Sequence, residues 1–209
     1  MCDPTKRTQE TYDEVAPVYA AKNSKAYPLL QADLAAFTAG LDRKAVIADI
    51  GCGPGRDTTL LRGLGYLVVG VDLSYGQLKA GRLPGVVQAD MRRLPFTDGS
   101  IDAIWCHAAL LHIPRESVPG ALAEFARVAR TGSPLNLVVA EGDGQGWEPA
   151  VAYGSKSPRW FTLHREADLT AQLEAAGFRV EQIQHESSKR DWLAVRGRRV
   201  EAGQAGGPP

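Results

Sequence analysis

No stretch of this chain approaches the roughly 18 consecutive apolar residues of a membrane helix, so a membrane-spanning protein is not expected. Cysteine is scarce: Cys2, Cys52 and Cys106 are the only three, and no C-x-x-C pair occurs. An odd count without that spacing gives neither a disulfide framework nor a zinc site, and reduced thiols in a cytoplasmic setting are expected. An excess of one charge is also missing, since Lys+Arg and Asp+Glu stand at 24 each. A neutral chain lacks the electrostatic footprint of a general nucleic-acid binder. Arg196, Arg198 and Arg199 form a small basic cluster near the end, which reads as a solvated strand end. The opening MCDPTKRTQE is polar and has no apolar segment of the secretory-signal kind. No internal repeat and no second domain are visible.

What remains is 209 residues, 44% of them apolar, which suits one elaborated α/β domain. Residues 1–40 read as a helical lead. Tyr12, Val15 and Tyr19 recur at helical spacing, Pro17 is expected to break or kink the segment, and Pro28 opens a second helix that ends near Gly40. From Ala45 the pattern alternates. AVIADI, YLVVGVD, GVVQAD, IDAIWCH and PLNLVVAE read as buried strands, with helices between them, which predicts a parallel sheet covered on both faces. Ser74 is placed to cap one of those helices. A Gly-rich aromatic stretch follows the fifth strand; at 142–163 it is long for a connection, and long loops there are often functional. A helix at 166–176 ends at Gly177. FRVEQIQ and DWLAVRG then form an antiparallel hairpin, and residues 201–209 read as a disordered tail.

The chemistry is carried by strand ends. Asp49–Ile50–Gly51–Cys52–Gly53–Pro54–Gly55 follows a buried strand and opens a helix. In open α/β sheets the ligand crevice lies at the carboxyl ends of the strands. Arg56 stands where a dinucleotide loop of the G-x-G-x-x-G type would have its third glycine. Asp49 would repel a pyrophosphate but attract an ammonium group, which favours a ligand with an amino-acid end. Asp72, about twenty residues on, can accept hydrogen bonds from both hydroxyls of a ribose. Asp90 ends the third strand and could accept from an adenine amino group while Met91 packs on the ring.

The succession DIGCGPG, GVDLS, QADMRRLPFTDGSIDAIWCHAALLHI and ALAEFARVARTGSPLNLVV resembles the class I S-adenosylmethionine-dependent methyltransferases. It is most similar to the small-molecule group that includes the ubiquinone-biosynthesis enzymes and natural-product tailoring enzymes (methyltransferase type 11). The likeness runs over roughly residues 8–195. It implies a Rossmann-like, doubly wound α/β sheet of seven strands, order 3-2-1-4-5-7-6, with strand 7 antiparallel and helices on both faces. Residues 1–40 have no slot in such a sheet and are expected to form a lid on the domain at 41–200, or else to dock on its far side, and 142–163, which leaves the fifth strand at the carboxyl edge, is expected to be a substrate-side insertion. The likeness implies S-adenosyl-L-methionine as cofactor, with Gly51 and Gly53 lining the methionine moiety. Asp72 and the adjoining Leu73 would hold the ribose, Asp90 with Met91 the adenine, and Tyr19 and His107 would border the cofactor. One departure is Ala108–Ala109, where an aromatic is usual after His107; it opens room for a substrate.

Methyl transfer from a sulfonium is an in-line displacement that needs alignment and dryness more than acid–base power. No metal is expected, because no ligand cluster has convincing spacing. His107, His112 and His164 are the base candidates for an oxygen or nitrogen acceptor, with proximity alone as the alternative; His185 reads as surface. Trp147, Tyr153, Trp160 and Phe161 either pack the insertion onto the sheet or wall an apolar, planar substrate. Trp105, Cys52 and Cys106 read as core. The resulting expectation is methyl transfer to O, N or C of a small metabolite. Two alternatives stay open: an enzyme acting on a macromolecule such as tRNA or a protein, and a non-catalytic homologue that only binds the cofactor.

Overall fold

The computed structural model describes residues 3–26 and 28–201. Cys2 and most of the expected tail, 202–209, lie outside the described residues. Strands β1 (Val46–Ile50), β2 (Leu67–Asp72), β3 (Val86–Gln88), β4 (Ala103–His107) and β5 (Pro134–Ala140) pair in parallel. A separate antiparallel hairpin follows, β6 (Gln145–Pro149) with β7 (Pro158–Thr162). Strands β8 (Phe178–Ser187) and β9 (Asp191–Arg199) close the main sheet, and β9 lies antiparallel between β5 and β8. The seven-stranded sheet runs β3-β2-β1-β4-β5-β9-β8. Counted within that sheet alone, this is the expected order 3-2-1-4-5-7-6 with an antiparallel seventh strand.

The two faces of the sheet can be read along β4. Ile104 and Cys106 point into one core with Leu122 and Phe125 of helix α5 (Val118–Val128) and Leu169 and Leu173 of α6 (Glu166–Ala175). Ala103 and Trp105 point into the other, against Leu30, Leu34 and Phe37 of α2 (Pro28–Thr38) and Leu61 of α3 (Arg56–Gly63). Alternation in the strands and the i, i+3/i+4, i+7 spacing of Val118, Ala121, Leu122 and Phe125 drive this sandwich, because each face then buries an apolar stripe. Trp105 and Cys106 are fully buried, as the sequence implies.

Three elements depart from the sequence reading. Pro17 does not break the lead: α1 runs from Pro4 to Lys22 with Pro17 inside it. A proline deprives a helix of one internal hydrogen bond, and here packing supplies the compensation, since Val15 and Ala16 beside it are buried. The 142–163 stretch is a folded hairpin rather than a loop. The third strand stops at Gln88, so Asp90 lies in the turn beyond it. The basic cluster does end a strand, β9, and its members are partnered there: Arg196 pairs with Asp33, the partly exposed Arg198 pairs with Glu181, and Arg199 donates to the carbonyls of Ala126 and Gly177.

Candidate active site

The glycine loop begins where β1 ends. Gly51 and Cys52 both donate their N–H to the carbonyl of Val71 on β2, at 2.7 and 3.0 Å, which turns the chain sharply across the carboxyl edge of the sheet. Gly51 sits at φ +74, and a Cβ there would lie 2.1 Å from the Cβ of Ala109. Only glycine meets both demands.

Asp72, at the end of β2, holds two backbones together. One carboxylate oxygen accepts from Gly53 N at 2.7 Å and the other from Ser74 N at 2.8 Å. Burial, with Asp13 nearby, pushes its pKa up to about 6. Ser74 caps helix α4 (Tyr75–Gly81) as expected, accepting from Gln77 N. The Ser74-x-x-Gln77 spacing resembles a capping box, yet the Gln77 amide turns away and donates to the carbonyl of Tyr12 at 3.0 Å. Its Oε1 is left buried without a partner.

Helix α1 docks across this edge. Asp13 Oδ1 accepts from Ser74 Oγ at 2.6 Å and from Gly76 N at 2.7 Å. Any side chain on Gly76 would meet the Asp13 backbone, 2.7 Å from the ideal Cβ. The hairpin packs on the other flank of α1: Trp160 N donates to Thr8 Oγ1 at 2.8 Å, and Thr11 Oγ1 donates to the carbonyl of Pro158 at 2.6 Å. The lead and the insertion therefore form one continuous cover.

Under that cover lies a cleft lined among others by Tyr12, Tyr19, Gly51, Gly53, Asp72, Leu73, Gln77, Asp90, Met91, His107, Ala108, Ala109 and His112. An adjoining recess shares Tyr19, Gly51, Gly53 and His107 and adds Asn23, Asp49, Arg56 and Asp57. The structure thus brings eight of the nine expected cofactor residues to the main cleft and puts the ninth, Asp49, in the recess. Asp49 is almost fully buried and accepts from Thr58 Oγ1 at 2.6 Å. Burial, with Asp57 beside it, raises its pKa to about 7. Burial would raise Asp57 as well, but the Arg56 side chain and the Trp105 indole N–H bind it and hold it below its usual value.

Asp90 is more occupied than the sequence implies. Its oxygens accept from Arg92 N at 2.9 Å and from the Arg92 guanidinium at 2.6 Å, and Arg92 reaches on to Asp3. The carboxylate at that corner is already matched by a fork of donors, which leaves Met91 and the open edge of the turn for a flat ligand.

The three histidines separate. His107 ends β4 with its ring facing Asp57 at 3.8 Å and Arg56 at 3.3 Å; burial lowers its pKa. His112 faces the cleft. Its Nδ1 lies 2.7 Å from the carbonyl of Trp160, and its Nε2 lies 2.7 Å from the Tyr12 hydroxyl. A carbonyl only accepts, so Nδ1 carries the proton. Burial drives the His112 pKa down to about 3, so the ring is neutral and Nε2 accepts from Tyr12. His164 does not reach the cleft. It is buried where its own backbone bridges Ala140 and Gly142, and burial lowers it to about 4. It is therefore withdrawn as a base. His185 is on the surface, held between Glu141 and Glu166.

Tyr12, Asp13 and Gln77 are not singled out as site residues by the sequence. The only sequence signals were the Ser74-x-x-Gln77 box and the placement of Tyr12 on the same helix face as Tyr19.

Residues 48–136 match the family model described as "Methyltransferase domain". The demethylmenaquinone methyltransferase of Beutenbergia cavernae is 34% identical over 152 residues, covering 70% of this chain and 58% of that protein. Methyltransferase GfsG of Streptomyces halstedii is 35% identical over 103 residues, covering 44% of this chain and 36% of that protein. The chain therefore spans less than two thirds of the length of these relatives. Among solved structures, the 1,6-didemethyltoxoflavin-N1-methyltransferase of Burkholderia thailandensis, crystallised with 1,6-didemethyltoxoflavin and S-adenosylhomocysteine, aligns with a TM-score of 0.73. That match covers 96% of this chain and 92% of that one at 21% identity, which shows a shared fold.

Proposed function

We propose that this chain, which carries a class I S-adenosylmethionine-dependent methyltransferase domain, transfers a methyl group from S-adenosylmethionine to O, N or C of a small-molecule acceptor. The observation that carries this reading is one cleft that gathers Gly51, Gly53, Asp72, Leu73 and Met91 under a cover bearing Tyr12 and Tyr19, with His112 bonded to Tyr12 at its wall.

The donor set fits such a cofactor. Each Asp72 oxygen has accepted one backbone N–H and keeps a further lone pair for a ribose hydroxyl. Gln77 Oε1 and Thr5 Oγ1 line the cleft, buried and without partners, and both can accept from a ligand donor. The recess with Asp49 suits an ammonium group, since ionising this buried acid becomes favourable once a cation lies against it. When bound, the cofactor supplies a methyl group already activated by its sulfonium.

The chain's own work is positioning and exclusion. Gly51 and Gly53 let a ligand approach the backbone. Tyr12 and Tyr19, in edge contact at 5.5 Å, close one side against water. His112 presents a neutral Nε2 whose direction is fixed by the Trp160 carbonyl. It can replace its Tyr12 partner by an acceptor O–H or N–H and so aim the acceptor's lone pair. At a pKa of about 3 it is a weak base, so it serves alignment more than proton removal.

Two measurements test this. Calorimetry should show binding of S-adenosylmethionine and S-adenosylhomocysteine without added metal and a preference for both over NAD; tight NAD binding with none for the sulfonium compound would sink the proposal. Incubation with labelled S-adenosylmethionine and a fractionated metabolite extract should then yield a product heavier by one methyl.

A further inference from the structure

Gln77 is drawn away from the role that its position prescribes. In the Ser74-x-x-Gln77 spacing the glutamine side chain would reach back to Ser74 N. That amide is already taken by Asp72 Oδ1 at 2.8 Å. The Gln77 side chain turns instead to helix α1, where Nε2 donates to the carbonyl of Tyr12 at 3.0 Å. Asp13, the next residue of α1, is held by Ser74 Oγ and Gly76 N on the same turn. The cover thus rests on the segment that starts at Asp72, and the Tyr12 hydroxyl carries the connection on to His112 Nε2 at 2.7 Å. Gln77 is 2% exposed and lines the cleft beside Asp72, Leu73 and Ser74. Among the described residues, no group bonds its Oε1.

A buried acceptor left without a donor costs more than one made hydrogen bond contributes. With Nε2 fixed on the cover, the planar amide fixes Oε1 as well, so the side chain cannot turn to satisfy it without releasing Tyr12. A donor from a ligand in the cleft removes that conflict. The neighbouring acceptor in this wall is Asp72, placed for the ribose, so the cofactor donor that falls to Gln77 is a ribose hydroxyl. We infer that Gln77 is a further cofactor-binding residue, which accepts a ribose hydroxyl through Oε1 and couples that contact to the cover through Nε2. This rests on the reading of the cleft as the S-adenosylmethionine site. An amide that accepts at its oxygen donates more strongly at its nitrogen. An occupied cofactor site would therefore hold Tyr12 more firmly, and with it the Tyr12–His112 wall, so the cofactor prepares the cleft for the acceptor. The competing account makes Gln77 only a latch between two helices, and it predicts that its loss weakens every nucleoside ligand alike.

The probes are S-adenosylhomocysteine, its 2′-deoxy and 3′-deoxy analogues, and S-inosylhomocysteine, which lacks the adenine amino group. Each is titrated by calorimetry into the wild type and Gln77→Met. The wild type should bind at least one deoxy analogue about fivefold or more weaker than S-adenosylhomocysteine, and Gln77→Met should shrink that ratio several-fold while the ratio for S-inosylhomocysteine stays put. In amide exchange, saturating S-adenosylhomocysteine should protect the glycine loop of both proteins, but residues 10–25 only in the wild type. Should the variant fail to fold, the wild type alone decides: the discriminated deoxy analogue, at saturation, should protect the glycine loop fully and residues 10–25 less than S-adenosylhomocysteine does. Equal weakening of all four ligands by Gln77→Met, a changed ratio for S-inosylhomocysteine alone, or cover protection that is the same with and without the ribose hydroxyl would each overturn the inference and leave the methyl-transfer reading standing. Failure of S-adenosylhomocysteine itself to bind would overturn both.

Discussion

Asp72 shows how one side chain can serve the fold and a ligand together. It ties the glycine loop to the start of α4 through two amides, and burial lifts its pKa to about 6. Replacing it with alanine should weaken S-adenosylhomocysteine binding by about 2–4 kcal/mol, from about 1.5–3 kcal/mol per charge-assisted bond with some compensation by water. Circular dichroism should show the variant folded, and unchanged affinity in the folded variant would remove Asp72 from the site. Ligand hydroxyls favour the ionised carboxylate, so cofactor affinity should fall as pH drops through about 6. Asp72→Asn should reduce that dependence and leave the part due to Asp49, whereas His112, neutral down to about pH 3, should not contribute to it. Asp49 is subject to the same burial in a tighter place. Its folded pKa, about 7, lies above the ordinary value of 3.8. Linkage then has a definite sign. The stability it lends is complete below the ordinary value and is lost as pH rises through about 7. Denaturant titrations of the unliganded protein should therefore show stability falling between about pH 4 and 7. Asp49→Asn should flatten part of that fall; an identical slope in wild type and variant would show that Asp49 stays ionised throughout.

At the scale of elements, α1 and the hairpin behave as one cover because each supplies what the other lacks. The helix presents threonine hydroxyls to the edge of β7, and β7 gives them backbone partners. The latch to the rest of the domain is Asp13 on Ser74 and Gly76. Asp13→Ala removes the acceptor of both bonds, at a cost of about 1–3 kcal/mol for the donors left unpaired. Amide hydrogen exchange should show faster opening of residues 10–25 in this variant, with the β1, β4 and β5 amides unchanged. In the wild type, S-adenosylhomocysteine should slow exchange over residues 10–25 and over the hairpin together, since the two are packed on each other. Protection of the glycine loop alone would mean that the cover does not close on the ligand.

For the whole molecule, the two main cores of the sheet are built without α1. The large buried side chains of both cores come from residue 30 onward, and α1 contributes chiefly threonines with Val15 and Ala16. Deletion of residues 1–23 should leave a protein that still unfolds cooperatively on heating. The same variant should lose most of its affinity for S-adenosylhomocysteine, because Tyr12, Tyr19 and the Gln77 partner leave with the helix. Loss of cooperative unfolding would show that the cover is part of the folding unit.

The sheet order followed from the family resemblance, whereas the sequence by itself determined the succession of strands, the positions of the glycine loop, Asp72, Met91 and Ser74, and the burial of Trp105 and Cys106. These follow from local periodicity, turn chemistry and the rule that strand ends border the crevice, all of which are written within a few residues of each position. Even so, the third strand and Asp90 shifted, because a short strand end is decided by which neighbour takes the carboxylate, here Arg92. Pro17 failed as a breaker because burial of its neighbours outweighed one lost hydrogen bond. The rest depended on contacts between residues a hundred or more positions apart. Tyr12 on His112, Thr8 and Thr11 on the hairpin, and Arg159 on Tyr12 have no local signature. The pKa of His112 and the exclusion of His164 from the cleft likewise come from burial, which only the closed tertiary packing of the cover creates.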